Sequence, residues 1–360
     1  MRYRFPTASG GLALLLAIIP QAMVTVAGQA PAAARRATSP APTKAWIAPR
    51  TADGQPDLQG VWESNSATPL ERPKALEGKP FLTDEEVAEL KKRAARIFDV
   101  NGNSDFAAGD DVFLAALANA EQHENPNATG STVWMVEREW DNRTSLIVDP
   151  SDGRVPALTP RAQQKRAGSA AAGQRPPAGP DDLSNLLRCI TAGVPRLGGN
   201  AASYNSFYQI LQTPEYVVVA METIHEARII PLDRRPHLPS TIQQWNGDSR
   251  GRWEGDTLVV DTTNFSTKSS FMGSAENLHL VERFTRVAPD TLNYEITLDD
   301  STTWTKPWTA VVRLKQTQKK LYEYACHEGN SETMGGILGG ARAEDRAAEG
   351  VPNASNPRVR

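Results

Sequence analysis

Only two cysteines occur in 360 residues, too few for a disulfide-dense scaffold or a multi-thiolate metal site. Net charge is nearly absent as well. The 39 Lys and Arg are offset by 42 Asp and Glu, leaving -3, so there is no basic field to grip a phosphate backbone and no nucleic-acid partner is expected. Beyond the first 28 residues no run reaches the roughly 18 to 20 apolar residues of a spanning helix, so no transmembrane segment is expected after removal of that leader. The chain also lacks an HExxH helix, paired CxxC motifs, a GxSxG elbow, a phosphate loop and a dinucleotide fingerprint. Neither a cofactor nor a metal is therefore expected.

What is present begins with an export pattern. Arg2 and Arg4 precede an apolar core from Leu12 to Ile19, and Val26 and Gly28 are small enough for signal peptidase. This predicts a signal peptide over 1–28, cut before Gln29, and a periplasmic or secreted protein. An Ala/Pro-rich flexible linker is expected over 29–50, one β-rich domain over 51–334 and a disordered Gly/Ala-rich tail over 335–360. Cys189 and Cys326, an even count outside the cytosol, make one disulfide the default over two buried thiols or a nucleophilic cysteine. On the chain-entropy model a loop of 137 residues would stabilise the fold by about 5 kcal/mol.

The pattern of elements is mostly strand. Asp57 to Glu63 reads as a short strand, and Thr83 and Glu86 form a capping box before a helix whose apolar face holds Val87, Leu90, Ala94 and Ile97. Phe113 to Ala120 suits a short helix, Thr144 to Asp149 a strand, and Pro160 to Pro180 an exposed loop. From Phe207 onward come short strands without intervening helices: Phe207 to Gln212, Tyr216 to Met221, Ala227 to Ile230, and a hairpin turning at Glu254 to Asp256. Two longer hairpins follow, Leu278 to Val287 with Thr291 to Leu298, and Trp308 to Gln316 with Leu321 to Cys326. Such a series predicts a mainly β fold: an antiparallel meander forming a lipocalin-like barrel or a sandwich, with one peripheral helix and long loops.

Candidate chemistry lies in the β-rich half. His225, His279 and His327 are the candidate catalytic histidines, with Glu328 directly after His327. The expected centre is His327 with Glu328, joined across the sheet by His279 or His225, for acid-base work. His237 lies in the same half. Trp245, Asp248, Arg250, Arg252 and Trp253 crowd one polar, aromatic stretch, which suits either a rigid corner or a ligand clamp.

Seven strings carry a resemblance: RTSLIVDPSDGRVP from Arg143, RCITAGVPR from Arg188, HEARIIPLDRRPH from His225, GDSRGRWEGDTLVVDTTNF from Gly247, HLVERF from His279, TKPWT from Thr305 and YEYACHEGN from Tyr322. Together they resemble a widespread family of exported bacterial proteins without an established activity. The resemblance places both cysteines in its RC and ACHEGN strings, and it weakens after Arg196, where LGGNAASYNS replaces a more aromatic segment. Gly60 to Trp62 is similar to the Gly-x-Trp opening of lipocalin-like barrels. Two function classes follow: a soluble envelope protein that binds a small ligand in a β-rich pocket, or a hydrolase or lyase using histidine and carboxylate groups.

Overall fold

A computed structural model describes residues 46–98, 109–119, 138–173, 175–197 and 206–348. The expected signal peptide and most of the expected linker lie outside these residues, as do Ala120 and the side chain of Ile97.

Among the described residues, ten strands form one antiparallel sheet. They are β1 (Gly60–Glu63), β2 (Ile147–Asp149), β3 (Phe207–Gln212), β4 (Tyr216–Met221), β5 (Glu226–Pro231), β6 (Asp248–Glu254), β7 (Thr257–Thr263), β8 (His279–Ala288), β9 (Thr291–Asp299) and β10 (Trp308–Thr317). Their order is β5-β4-β3-β1-β10-β9-β8-β7-β6, with β2 added against β10. β3 to β5 and β6 to β10 each pair with their neighbours in sequence, and β1, lying between β3 and β10, joins the two runs. A sandwich of two facing sheets is thereby replaced by a single sheet.

Alternation of side chains explains the core. In β4 the burial alternates residue by residue, with Val217, Val219 and Met221 inward. In β8 the inward set is Leu280, Glu282 and Phe284, and in β9 it is Leu292, Tyr294, Ile296 and Leu298. Trp62, Trp304 and Trp308 are fully buried among them, and the last two meet edge to face at 5.6 Å. β5 and β6 end the sheet's path, and no ladder joins them among the described residues. They still touch: a Cβ on Gly251 of β6 would stand 2.8 Å from Ile230 and 2.7 Å from Leu232, so any larger residue there would have to displace these side chains.

Among the described residues four helices accompany the sheet rather than one: α1 (Asp84–Phe98), α2 (Gly109–Leu117), α3 (Pro160–Gly173) and α4 (Asn330–Ala348). The capping box forms as expected, with Thr83 N donating to Glu86 Oε2 at 2.9 Å and Glu86 N to Thr83 Oγ1 at 3.3 Å. Leu90 and Ala94 of α1 pack with Val112, Phe113 and Ala116 of α2 in a small second core. Among the described residues no helix is long and apolar enough to cross a membrane.

Four expectations are corrected. The loop assigned from Pro160 is largely helix, because Ala, Gln, Lys and Arg favour helix and Thr159 Oγ1 accepts from Ala162 N at 3.2 Å at its start. Leu321 to Cys326 is not a strand. The edge of β10 that it would need is taken by β1, with Val61 opposite Thr317. The tail expected to be disordered from 335 is helical through Ala348, so the boundary drawn at 334 cuts an element. Residues 46–50 belong to the fold rather than to a flexible linker: Ala48 is buried, and Arg50 pairs with Asp256 at 2.5 Å.

Candidate functional site

Two polar clusters lie on opposite faces of the same strands. The inner one starts from the alternation of β5 and β8, which points Arg228 and Glu282 into the apolar core. Arg228 is 7% exposed and Glu282 0%. The guanidinium grips the carboxylate twice, at 2.9 and 2.5 Å, and also donates to Ser249 Oγ at 3.1 Å. Tyr294 completes the group, donating its hydroxyl to Glu282 at 2.5 Å. Burial by itself would favour an uncharged Arg228, but the Glu282 carboxylate overrides it and raises the guanidinium above its ordinary range. Burial, reinforced by the same carboxylate, holds the Tyr294 hydroxyl well above its usual value and therefore protonated.

This pair leaves groups to spare. Arg228 Nε has no hydrogen-bond partner, and the buried Tyr208 and half-buried Arg196 face the same small cavity of about 10 Å³, room for one water. A second cavity of about 50 Å³ lies outside it, lined by Trp245, Phe265, Ser270, Phe271 and Leu278. Val194 lines both. The segment Thr191–Leu197, called the stopper below, therefore borders both cavities, the second (outer chamber) through Ala192 to Pro195 and the first (inner chamber) through Val194 and Arg196.

The stopper is anchored at its start. Cys189 is bonded to Cys326 with a Cα separation of 5.8 Å. Thr191 Oγ1 and Ala192 N donate to Glu226 Oε2 at 2.9 and 3.3 Å, and Asn246 Nδ2 donates to the other oxygen of that carboxylate. Trp245 and the stopper are therefore held through adjacent residues.

The outer cluster is a row of alternating carboxylates and imidazoles. The segment between β5 and β6 folds back so that His237 sits between two strands, Nδ1 3.0 Å from Asp248 Oδ2 and Nε2 2.9 Å from Asp261 Oδ1. Asp261 continues to His279 Nε2 at 3.0 Å, and Arg250 donates to Asp248 Oδ1 at 2.6 Å. The hydrogen bond from His279 is the main reason the Asp261 carboxyl titrates below its usual range, and the same bond raises the His279 imidazole. Because each ring lies between or beside carboxylates, the lone pairs do not converge. Among the described residues no group of three or more His, Cys, Asp or Glu could hold a metal ion.

A third, open groove of about 490 Å³ carries Glu139, Asp141, Arg313 and Lys315. Asp141 is already gripped by Arg143 at 2.7 Å, so the groove presents no unmatched charge of one sign.

Not all of the expected centre assembles. His225, His327 and Glu328 are exposed, and no hydrogen bond joins them to one another or to His279. Without the strand expected to end at Cys326, His327 loses the sheet that was to bring it across. His279 instead pairs with Asp261. Among the expected ligand contacts, Trp245 lines the outer chamber, while Asp248 and Arg250 belong to the outer row. Arg252 turns outward to Glu254 at 2.8 Å, and Trp253 packs half-buried against the core. Spacing misses His237 with Asp261, 24 residues apart, because only a folded-back loop joins them. It could have flagged Arg228 and Glu282, charged residues at inward positions of alternating strands.

No protein-family model and no curated protein sequence matches this chain. Among solved structures, the crystal structure of a mutant of the fluorescent protein UnaG is similar over 38% of this chain and 87% of that one, with 13% identity and a TM-score of 0.21.

Proposed function

We propose that this is an exported, soluble protein that binds a small, largely apolar ligand on the inner face of its sheet, which closes as a lipocalin-like barrel. The observation that carries the reading is the position of Val194, shared by two chambers. Moving one short segment would join an outer chamber, whose walls mix Trp245, Phe265, Phe271 and Leu278 with Ser269, Ser270 and Ser274, to an inner one that offers Arg196, Tyr208 and Arg228 for orientation. Ligand pockets combine those features: apolar walls with a few placed polar groups. The approach of Gly251 to Ile230 and Leu232 supports closure, with side chains rather than a ladder sealing the seam. The disulfide supports an oxidising compartment.

Acid-base catalysis is the weaker reading. It would now rest on His279 and Asp261, and neither lines any of the three cavities described.

Titration with the fluorescent probe 1-anilinonaphthalene-8-sulfonate tests the binding reading. Saturable binding of one probe per chain is expected, weakened at least tenfold by Ser270→Trp, which fills the outer chamber from an exposed position. Absence of saturable binding, or binding indifferent to that change, would overturn it.

A further inference from the structure

We propose that His237 is a protonation-dependent latch that holds the 232–247 segment, and with it the wall of the outer chamber, against the sheet; this rests on the binding reading above. The geometry of the ring carries the argument. Both nitrogens of His237 face carboxylate oxygens, at 3.0 and 2.9 Å. A neutral imidazole has one N–H and one lone pair, so it satisfies one carboxylate and presents a lone pair to the other. Only the doubly protonated ring makes both bonds.

The groups facing His237 come from every strand beneath it. β6 supplies Asp248, with Arg250 bonded to its far oxygen, and β7 supplies Asp261, which is shared with His279 of β8. Asp299 of β9 acts in turn on His279. On its own segment, Asp233 is occupied by Arg235 at 2.6 Å, and Arg234 is exposed. The two aspartates thus dominate the surroundings of the ring, and Arg250 and His279 each neutralise part of that charge.

The latch is continuous with the stopper. Beyond His237, Leu238 N donates to Asp248 at 2.9 Å and the Leu238 carbonyl accepts from Asn264 at 2.8 Å. Gln244 N donates to Asn264 O at 2.9 Å, and Trp245 O accepts from Ser269 at 2.5 Å. Asn246 then reaches Glu226, the residue that holds Thr191 and Ala192. Deprotonation at one end loosens a run of residues whose other end is the chamber wall and the stopper's anchor. The chamber is held closed while the ring carries both protons and opens when it loses one.

Hydrogen exchange measured peptide by peptide at pH 5.5 and 8.5, corrected for intrinsic rates, tests this on the full chain. Protection across 238–246 and 191–197 should fall at least tenfold at the higher pH in the wild type. In His237→Gln both segments should exchange fast at both values. Asp261→Asn, which removes charge from one side only, serves as the second variant and should shrink the pH response. Protection in the wild type that does not change with pH would overturn the latch, and a change confined to 238–246 would overturn its coupling to the stopper. Titration of 1-anilinonaphthalene-8-sulfonate at both pH values separates the two readings. Tighter saturable binding at pH 8.5 supports the gate, equal saturable binding at both removes the gate and keeps the pocket, and no saturable binding at either removes both.

Discussion

The inner and outer clusters use related pairings, a nitrogen base against a carboxylate, in opposite surroundings. Arg228 and Glu282 are sealed in the core, where an unpaired charge is far costlier than in water, so the pair is made once and persists. His237, Asp261 and His279 sit at the edge of solvent, where the same contact can be made and unmade. Choice of cation follows the place. Arginine keeps its proton over the accessible pH range, and histidine does not. On opposite faces of the sheet, one pairing is sealed in the core and the other lies within reach of solvent.

The largest expected effect comes from breaking the inner pair. Glu282→Ala leaves Arg228 buried without its anion and should cost about 3 to 5 kcal/mol, read by urea unfolding. Replacing both partners, Arg228→Met with Glu282→Leu, should recover most of that stability, because packed apolar groups need no partner. If the double variant is as unstable as the single one, the inner cluster is structural in some other way than by charge compensation.

Next comes the tether that both regions share. Cys189→Ser with Cys326→Ser should lose about 2 to 5 kcal/mol and raise hydrogen exchange in 191–197 before it raises exchange in the inner strands. Equal exposure of the two would show that the stopper is not a separable segment.

The outer row should act through pH rather than through size. His279 has a raised value, so its contribution is complete below the ordinary imidazole value of 6.5 and is lost as pH rises through the raised one. Asp261 has a lowered value, so its contribution is present above the ordinary 3.8 and is lost as pH falls through the lowered one. Stability from this pair should therefore plateau between those ordinary values and decline on either side. His279→Gln should flatten the alkaline decline, and thermal unfolding at a series of pH values checks it. The smallest effect belongs to Arg252→Ala. Its partner Glu254 is exposed and also held by Arg283 at 3.0 Å, so urea unfolding of this variant should be indistinguishable from that of the wild type.

The same contrast explains what could be read from the chain. Strands β3 to β5 and β7 to β10 were legible, because residues such as Val217, Val219 and Met221 repeat at a period of two and Gly255 marks a turn, whereas the polar start of β6 was not. The Thr83 capping box was legible for a similar reason, being a contact between residues three apart. Helix α3 was obscured by its Ala, Gly and Gln content, which reads equally as loop, and Leu321 to Cys326 had strand-like residues but no free edge to pair with. The disulfide followed from an even cysteine count together with the expected export. His237's place in the outer row could not be found, since it meets Asp248 and Asp261 only through the path of a loop, whereas Arg228 and Glu282 carried a usable signal in charge at inward positions.

Whether a ligand reaches the inner face is tested most directly by fluorine NMR of protein labelled with 3-fluorotyrosine, with the Tyr208 and Tyr294 signals assigned from Tyr208→Phe and Tyr294→Phe. Both rings are buried on that face. Saturating 1-anilinonaphthalene-8-sulfonate is predicted to shift both signals while the exposed Tyr322 signal stays in place. Saturable probe binding that leaves Tyr208 and Tyr294 unshifted would contradict the account, because the ligand would then lie elsewhere than behind the stopper.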